Sequence, residues 1–193
     1  MRIILASNNK NKIREMKEIL LPFGMEVVSQ KEAGFDAEVP ENGTTFHENA
    51  EIKAAAVYDA LNMPVIADDS GLAVDALSGA PGVYSHRFAG ENANDHDRSM
   101  KILEMLGSLP ENKRTARFIC EICYIDEKGE RHFFTGKCEG IIGTEEKGEN
   151  GFGYDPIFLH GEKTLAEMTD DEKNRISHRG NALRALTEYL QNI

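Results

Sequence analysis

The sequence predicts an α/β fold, drawn as an elongated single domain with a central mixed β-sheet, two lobes and a cleft between them. Three observations predict it. Short apolar runs alternate with amphipathic helical segments through the first half of the chain. In the second half, two long strand-like runs flank Asp126-Glu127-Lys128-Gly129, a hairpin signal. The chain has 193 residues, 40% hydrophobic and 28% charged, which suits one globular domain taken as residues 1–193. No internal repeat, low-complexity tract or long Pro/Gly/Ser linker interrupts it.

The elements follow in order. Residues 2–6 read as a first strand. A helix is expected from about residue 11 to residue 21, because Ile13, Met16, Ile19 and Leu20 share one face. Residues 25–29 form a second strand. Thr45 and Glu48 have the spacing of a capping box. They open a long helix reaching Leu61, with Phe46, Ala50, Ala54, Val57 and Leu61 facing the core. Short strands at 65–67 and 72–75 bracket Asp68-Asp69-Ser70-Gly71. Ala80-Pro81-Gly82-Val83 reads as a turn and 94–106 as a helix. The hairpin takes 114–125 and 131–142, and a short strand lies within 152–159. Thr169 with Glu172 makes a second capping box, and a last helix runs from about 178 to 190.

The bulk numbers exclude some functions. A formal net charge of −11 argues against binding nucleic-acid duplexes, which rewards basic surface. It still permits a small anionic ligand wherever cations cluster. No apolar run reaches membrane-spanning length, and residues 1–6 are too short for a signal peptide. A cytoplasmic protein is the expectation. Cys120 and Cys123 lie three apart on a predicted strand and so face opposite sides; together with Cys138 they read as reduced cysteines rather than a zinc site.

The richest chemistry sits at Asp68-Asp69. An apolar strand broken by two carboxylates delivers charge to the end of a sheet, where open α/β sheets place ligands. Adjacent carboxylates repel and call for a cation, for which Mg²⁺ with oxygen ligands is the economical choice. An ordinary Asp/Ser/Gly turn is the plain alternative. Ser7-Asn8-Asn9-Lys10-Asn11-Lys12, between strand and helix, is either a phosphate cradle or a polar turn with an Asx cap. Glu41 in its Pro-Glu-Asn-Gly turn and Lys53 on the long helix could face the aspartates, or simply face solvent. Phe152 and Tyr154 in a glycine-rich turn are either a stacking platform or core rings. His178 and Arg179 open the last helix as donors to a polar ligand or as surface groups. A Ser70–His178–Asp triad is weak without a Gly-x-Ser-x-Gly elbow. Likewise His47-Glu48 lacks the second histidine of a zinc protease.

Six blocks, spread in order over nearly the whole chain, carry a resemblance. They are Ser7–Lys12, Pro40–Ala50, Ala67–Leu72, Gly79–Ser85, Phe152–Pro156 and Ser177–Leu183. The chain resembles the inosine/xanthosine triphosphate pyrophosphatase family, whose members remove noncanonical purine nucleotides. That resemblance implies Mg²⁺-dependent cleavage of ITP, dITP or XTP between the α and β phosphates, giving the monophosphate and pyrophosphate. It implies Ser7, Asn8, Asn9, Lys10, Asn11 and Lys12 on the triphosphate, with help from Lys53. It places Mg²⁺ on Glu41, Asp68 and Asp69, with Asp69 also the general base. Ser70 would touch substrate. The turn of Phe152, Gly153, Tyr154 and Asp155 would line the base pocket, and Lys173, His178 and Arg179 would read the base edge. Many relatives carry Trp where Tyr154 stands. A homodimer is implied, as is a small-molecule partner rather than nucleic acid or membrane. A phosphohydrolase for other modified bases and a nucleotide sensor without chemistry stand as competing readings.

Overall fold

The computed structural model describes residues 2–192. Its sheet is mixed and seven-stranded, in the order β2-β1-β3-β4-β5-β6-β7. The strands are β1 (Arg2–Leu5), β2 (Glu26–Ser29), β3 (Val65–Val74), β4 (Thr115–Ile125), β5 (Arg131–Ile142), β6 (Phe158–His160) and β7 (Lys163–Thr164). Among the described residues, five α-helices flank them: α1 (Lys10–Leu20), α2 (Phe46–Leu61), α3 (Asp95–Leu106), α4 (Asp170–Ile176) and α5 (His178–Gln191). β1 pairs in parallel with both β2 and β3, as crossovers through α1 and α2 require. The last strands are antiparallel.

The chain forms two compact units. The first runs to Asp69, resumes at Cys120–Gly136 and again from His178; the second takes Ser70–Ile119 and Lys137–Ser177. In the first unit, alternate residues of each strand build two cores. Ile3, Leu5, Ile66, Cys120 and Ile122 meet Met16 and Leu20 of α1 and Ala182, Leu183 and Leu186 of α5. Ile4, Ala6, Val65, Ala67 and Cys123 meet Ala50, Ala54 and Val57 of α2. Cys120 and Cys123 thus do face opposite sides, and all three cysteines are free and buried. The second unit packs Leu72, Val74, Phe118, Ile142 and Phe158 against Ile102 and Leu106 of α3.

Four local expectations change. β3 is one unbroken strand, not two short ones around a turn. Its aspartates have buried polar partners, so they need not leave the sheet for water. The Thr45 box is only half formed. Thr45 Oγ1 accepts from Glu48 N–H, but the Glu48 carboxylate takes the N–H and hydroxyl of Thr44 instead of the cap N–H. Phe46 and Leu61 are only half-buried, whereas Asn49 is buried. Finally, residues 79–83 carry a cis Ala80–Pro81 bond and lead into a 3₁₀ turn, Gly82–Arg87.

Candidate active site

β3 outruns β1. Leu5 pairs with Ile66 and the N–H of Ala6 donates to the Ile66 carbonyl, so Asp68 and Asp69 lie past the carboxyl end of β1. Successive strand residues point to opposite faces. Asp68 shares the parity of Ile66 and meets α1 and α5; Asp69 shares that of Ala67 and meets α2. The neighbouring carboxylates are therefore not a side-by-side pair. Each has its own contacts.

On the α2 face, Asn49 Nδ2 donates to Asp69 Oδ2 at 3.0 Å. Asn49 Oδ1 accepts from the N–H of Gly43 at 2.8 Å, fastening the turn that carries Glu41. A Cβ on Gly43 would stand 2.7 Å from that Asn49 oxygen, so the turn closes only around glycine. Lys53 Nζ then sits 2.6 Å from Glu41 Oε1 and 3.7 Å from Asp69 Oδ1. Glu41 and Asp69 converge on one cationic point. Burial depresses the Lys53 pKa, but Asp69, Asp68 and Glu41 outweigh it and hold the ammonium above the ordinary lysine value. Asp69 goes the other way. Burial raises its carboxyl, and repulsion from Glu41 adds to this, against the pull of Lys53 and Lys12. Glu41 and Asp69 thus bring two carboxylates to the one ammonium of Lys53.

On the other face, Arg179 donates to Asp68 Oδ2 at 3.0 Å and through a second nitrogen to Glu15 of α1, all three being almost fully buried. Burial opposes the guanidinium charge, yet Asp68 and Glu15 hold its pKa above the usual arginine value. Lys12 Nζ approaches Asp68 Oδ2 at 3.1 Å. Asp68 is thus engaged by two cations, while Asp69 shares its cation with Glu41.

The β1–α1 turn bears out the plain reading of one residue. Asn9 is the N-cap of α1, its Oδ1 accepting from the N–H groups of Asn11 and Lys12. Ser7 Oγ accepts from Asn9 N–H. Asn8, Lys10 and Asn11 are exposed, and Lys12 is half-buried beside Asp68.

In the second unit, the glycine-rich turn is held from within. Asp155 Oδ2 accepts from the N–H of Phe152 at 2.9 Å and from Lys173 Nζ at 2.5 Å. The Lys173 ammonium lies 4.7 Å from the centre of the Phe152 ring. Tyr154 belongs to the core, its hydroxyl donating to the Ser85 carbonyl at 2.7 Å, and burial raises its pKa. Ser70 is half-buried on β3, and His178 and Arg179 are buried at the start of α5.

Sequence reasoning passed over Asn49 and Glu15. Asn49 had a signal: a polar residue on the core-facing stripe, one turn before Lys53. Glu15 stands next to Met16 with nothing to distinguish it from a surface glutamate. One further grouping was also missed. Asp126, Glu130 and His132 bring one ligand atom each within 4.8 Å of one another at the β4–β5 turn. There Asp126 Oδ1 accepts from the N–H groups of Lys128 and Glu130, which is sufficient reason for an aspartate at that corner.

Residues 3–189 match the sequence profile of the Ham1 family. The chain belongs to the Ham1 family. Within it, the dITP/XTP pyrophosphatase of Clostridium perfringens (strain 13 / Type A) is 48% identical over 200 residues, covering 100% of this chain and 98% of the relative. That of Bacillus subtilis (strain 168) is 49% identical, covering 97% and 96%. The solved Ham1 protein of Staphylococcus aureus superposes with a TM-score of 0.88 at 43% identity, over 100% of this chain and 99% of its own. A HAM1 protein from Coxiella burnetii gives 0.90 at 42%, over the whole of both chains. The expected α/β class with a mixed sheet, and the expected family, are therefore met.

Proposed function

We propose that this protein hydrolyses noncanonical purine nucleoside triphosphates (dITP, XTP and ITP) to the monophosphate and pyrophosphate, removing them from the nucleotide pool. Its full-length relatives bear the name dITP/XTP pyrophosphatase. The observation that carries the reading is the convergence of Glu41 and Asp69 on one cationic point, 2.6 Å and 3.7 Å from Lys53 Nζ.

Those carboxylates fit a hard divalent ion, and Glu41 and Asp69 would hold Mg²⁺, with Asp68 held back by Arg179 and Lys12. Bound there, the ion would neutralise phosphate charge and acidify a water. The chain's own residues do the rest. Asn49 fixes one oxygen of Asp69, and the other would take the proton of the attacking water. Lys53 and Lys12 bring positive charge to the leaving pyrophosphate. Ser7 to Lys12 receive the phosphates. Phe152 offers a ring for the base, and Lys173 and His178 supply donors for a 6-oxo edge, whereas Arg179, expected to share that task, is committed to Asp68 and Glu15. Adenine presents a donor where hypoxanthine presents O6, and a mismatched buried donor pair costs about 1–3 kcal/mol, roughly ten- to a hundredfold. A cytoplasmic homodimer belongs to the same reading.

The test incubates the pure protein with Mg²⁺ and ITP, XTP, dITP, GTP, ATP or CTP and separates the products. Monophosphate and pyrophosphate from ITP and XTP, with little from ATP or CTP, is the expected result. Inorganic phosphate and a diphosphate would refute the assigned cut. Sedimentation of the same sample checks the dimer.

A further inference from the structure

Gly153 makes its hydrogen bond with a residue far away in sequence. Its N–H donates at 2.6 Å to Asp95 Oδ2, at the start of α3. The N–H just before it, that of Phe152, is already taken by Asp155. The backbone on either side of the Phe152 ring is therefore held by two carboxylates from different parts of the chain. Gly153 has φ +65° and Gly151 φ +73°, so this turn lies in the left-handed region, where glycine is free to move. An external anchor is what gives it one shape.

Asp95 is not the cap of its helix. Capping of α3 is complete without it, because Asn94 Oδ1 accepts from Asp97 N–H while Asp97 Oδ2 accepts from Asn94 N–H. Its second oxygen pairs with Arg98. Arg98 is fixed in turn by the carbonyls of His86 and Ala93, both at 2.8 Å. Beside it, His96 Nδ1 lies 2.7 Å from Glu146 Oε2, a second tie from the start of α3 to the segment preceding the turn. The carboxylate is thus aimed by a guanidinium that cannot itself swing away.

We propose that Asp95 is a positioning residue for base recognition: through the Gly153 N–H it sets the turn that presents the Phe152 ring. The inference rests on the nucleotide reading above and deepens it. Asp95 touches no substrate, and its effect reaches the base through the backbone alone. Losing it should weaken contacts to the base and leave contacts to the phosphates untouched.

The test compares wild type, Asp95→Ala and Asp95→Asn, each checked for folding by thermal unfolding. KM and kcat are measured on ITP, and binding of IMP and of pyrophosphate by calorimetry. For Asp95→Ala we expect KM for ITP and the Kd for IMP to rise about tenfold, the scale of a lost charge-assisted hydrogen bond. We expect kcat within about threefold of wild type and the pyrophosphate Kd unmoved, since pyrophosphate has no base for the turn to read. Asp95→Asn keeps an acceptor for Gly153 N–H and should recover most of the loss, which also covers the case of an alanine variant too unstable to assay. Equal losses in both variants, parallel weakening of IMP and pyrophosphate, or an unchanged KM in Asp95→Ala would overturn the proposal. Wild type that neither cleaves ITP nor binds IMP would overturn the nucleotide reading and this inference with it.

Discussion

Asp68 and Asp69 have the same side chain and opposite circumstances. Asp69 is proposed as base and ligand, so Asp69→Asn should cut kcat by at least about a hundredfold, the usual worth of a general base. Binding of ITP in Ca²⁺ should survive, since the amide keeps the size and an oxygen. Calorimetry beside a turnover assay checks both, and near-normal turnover would remove Asp69 from its role. Arg179 makes a different demand. Replacing it with Ala leaves Glu15 and Asp68 buried without their guanidinium, and breaking such a network costs about 3–5 kcal/mol. Urea unfolding should show the loss even where no substrate is present. The sequence offered Asp68 and Asp69 as a pair because adjacency is visible in a string of letters and facing is not. The alternation rule would have separated them had the strand been taken as continuous. Glu15 carried no sign at all, since its partner comes 164 positions later.

Strands and helices meet most closely where side chains are absent. A Cβ on Gly136 of β5 would lie 2.0 Å from the His178 carbonyl and 2.4 Å from Ala182 N–H at the start of α5. Gly136→Ala must therefore push α5 outward, and we expect a loss of about 1–3 kcal/mol, the usual cost of overpacking, read from the urea midpoint. The end of β2 is tied differently. Glu32 accepts from the N–H and hydroxyl of Ser29 and from Lys17 of α1. The Ser29 N–H first, then its hydroxyl and Lys17, hold the carboxyl at about 2, below the ordinary 4.5. A depressed acid stabilises fully above its unfolded value and loses that contribution as pH falls through its folded one. The gap in Tm between wild type and Glu32→Gln should thus narrow from pH 4.5 down to about pH 2 and be closed below it. Helix and strand periods located most elements to within a residue or two. The unforeseen detail came from particular pairings: charges satisfied inside β3, and a Glu48 that chose Thr44 over the cap.

The path of the chain binds the two compact units to one another's synthesis. The first unit is assembled from three stretches and the second from two, so no single cut releases either whole. Truncation after Ser177 deletes α5, and with it Ala182, Leu183 and Leu186 from the α1-side core. We expect that fragment to lose cooperative unfolding altogether, checked by circular dichroism on heating, and a folded fragment would contradict the core assignment. The α/β class was legible from alternation of elements, and the family from the order of its blocks. Where the chain divides into its units was not, because it depends on strands that begin in one unit and finish in the other. β3 is such a strand, and its register serves the site and the core alike. Delete one residue among 63–67 and every later residue of the strand changes face. Asp69 turns toward Arg179, Ser70 turns toward Lys53 and Glu41, and Leu72 and Val74 turn out of the second unit's core. A single lost codon there takes the site and the scaffold together.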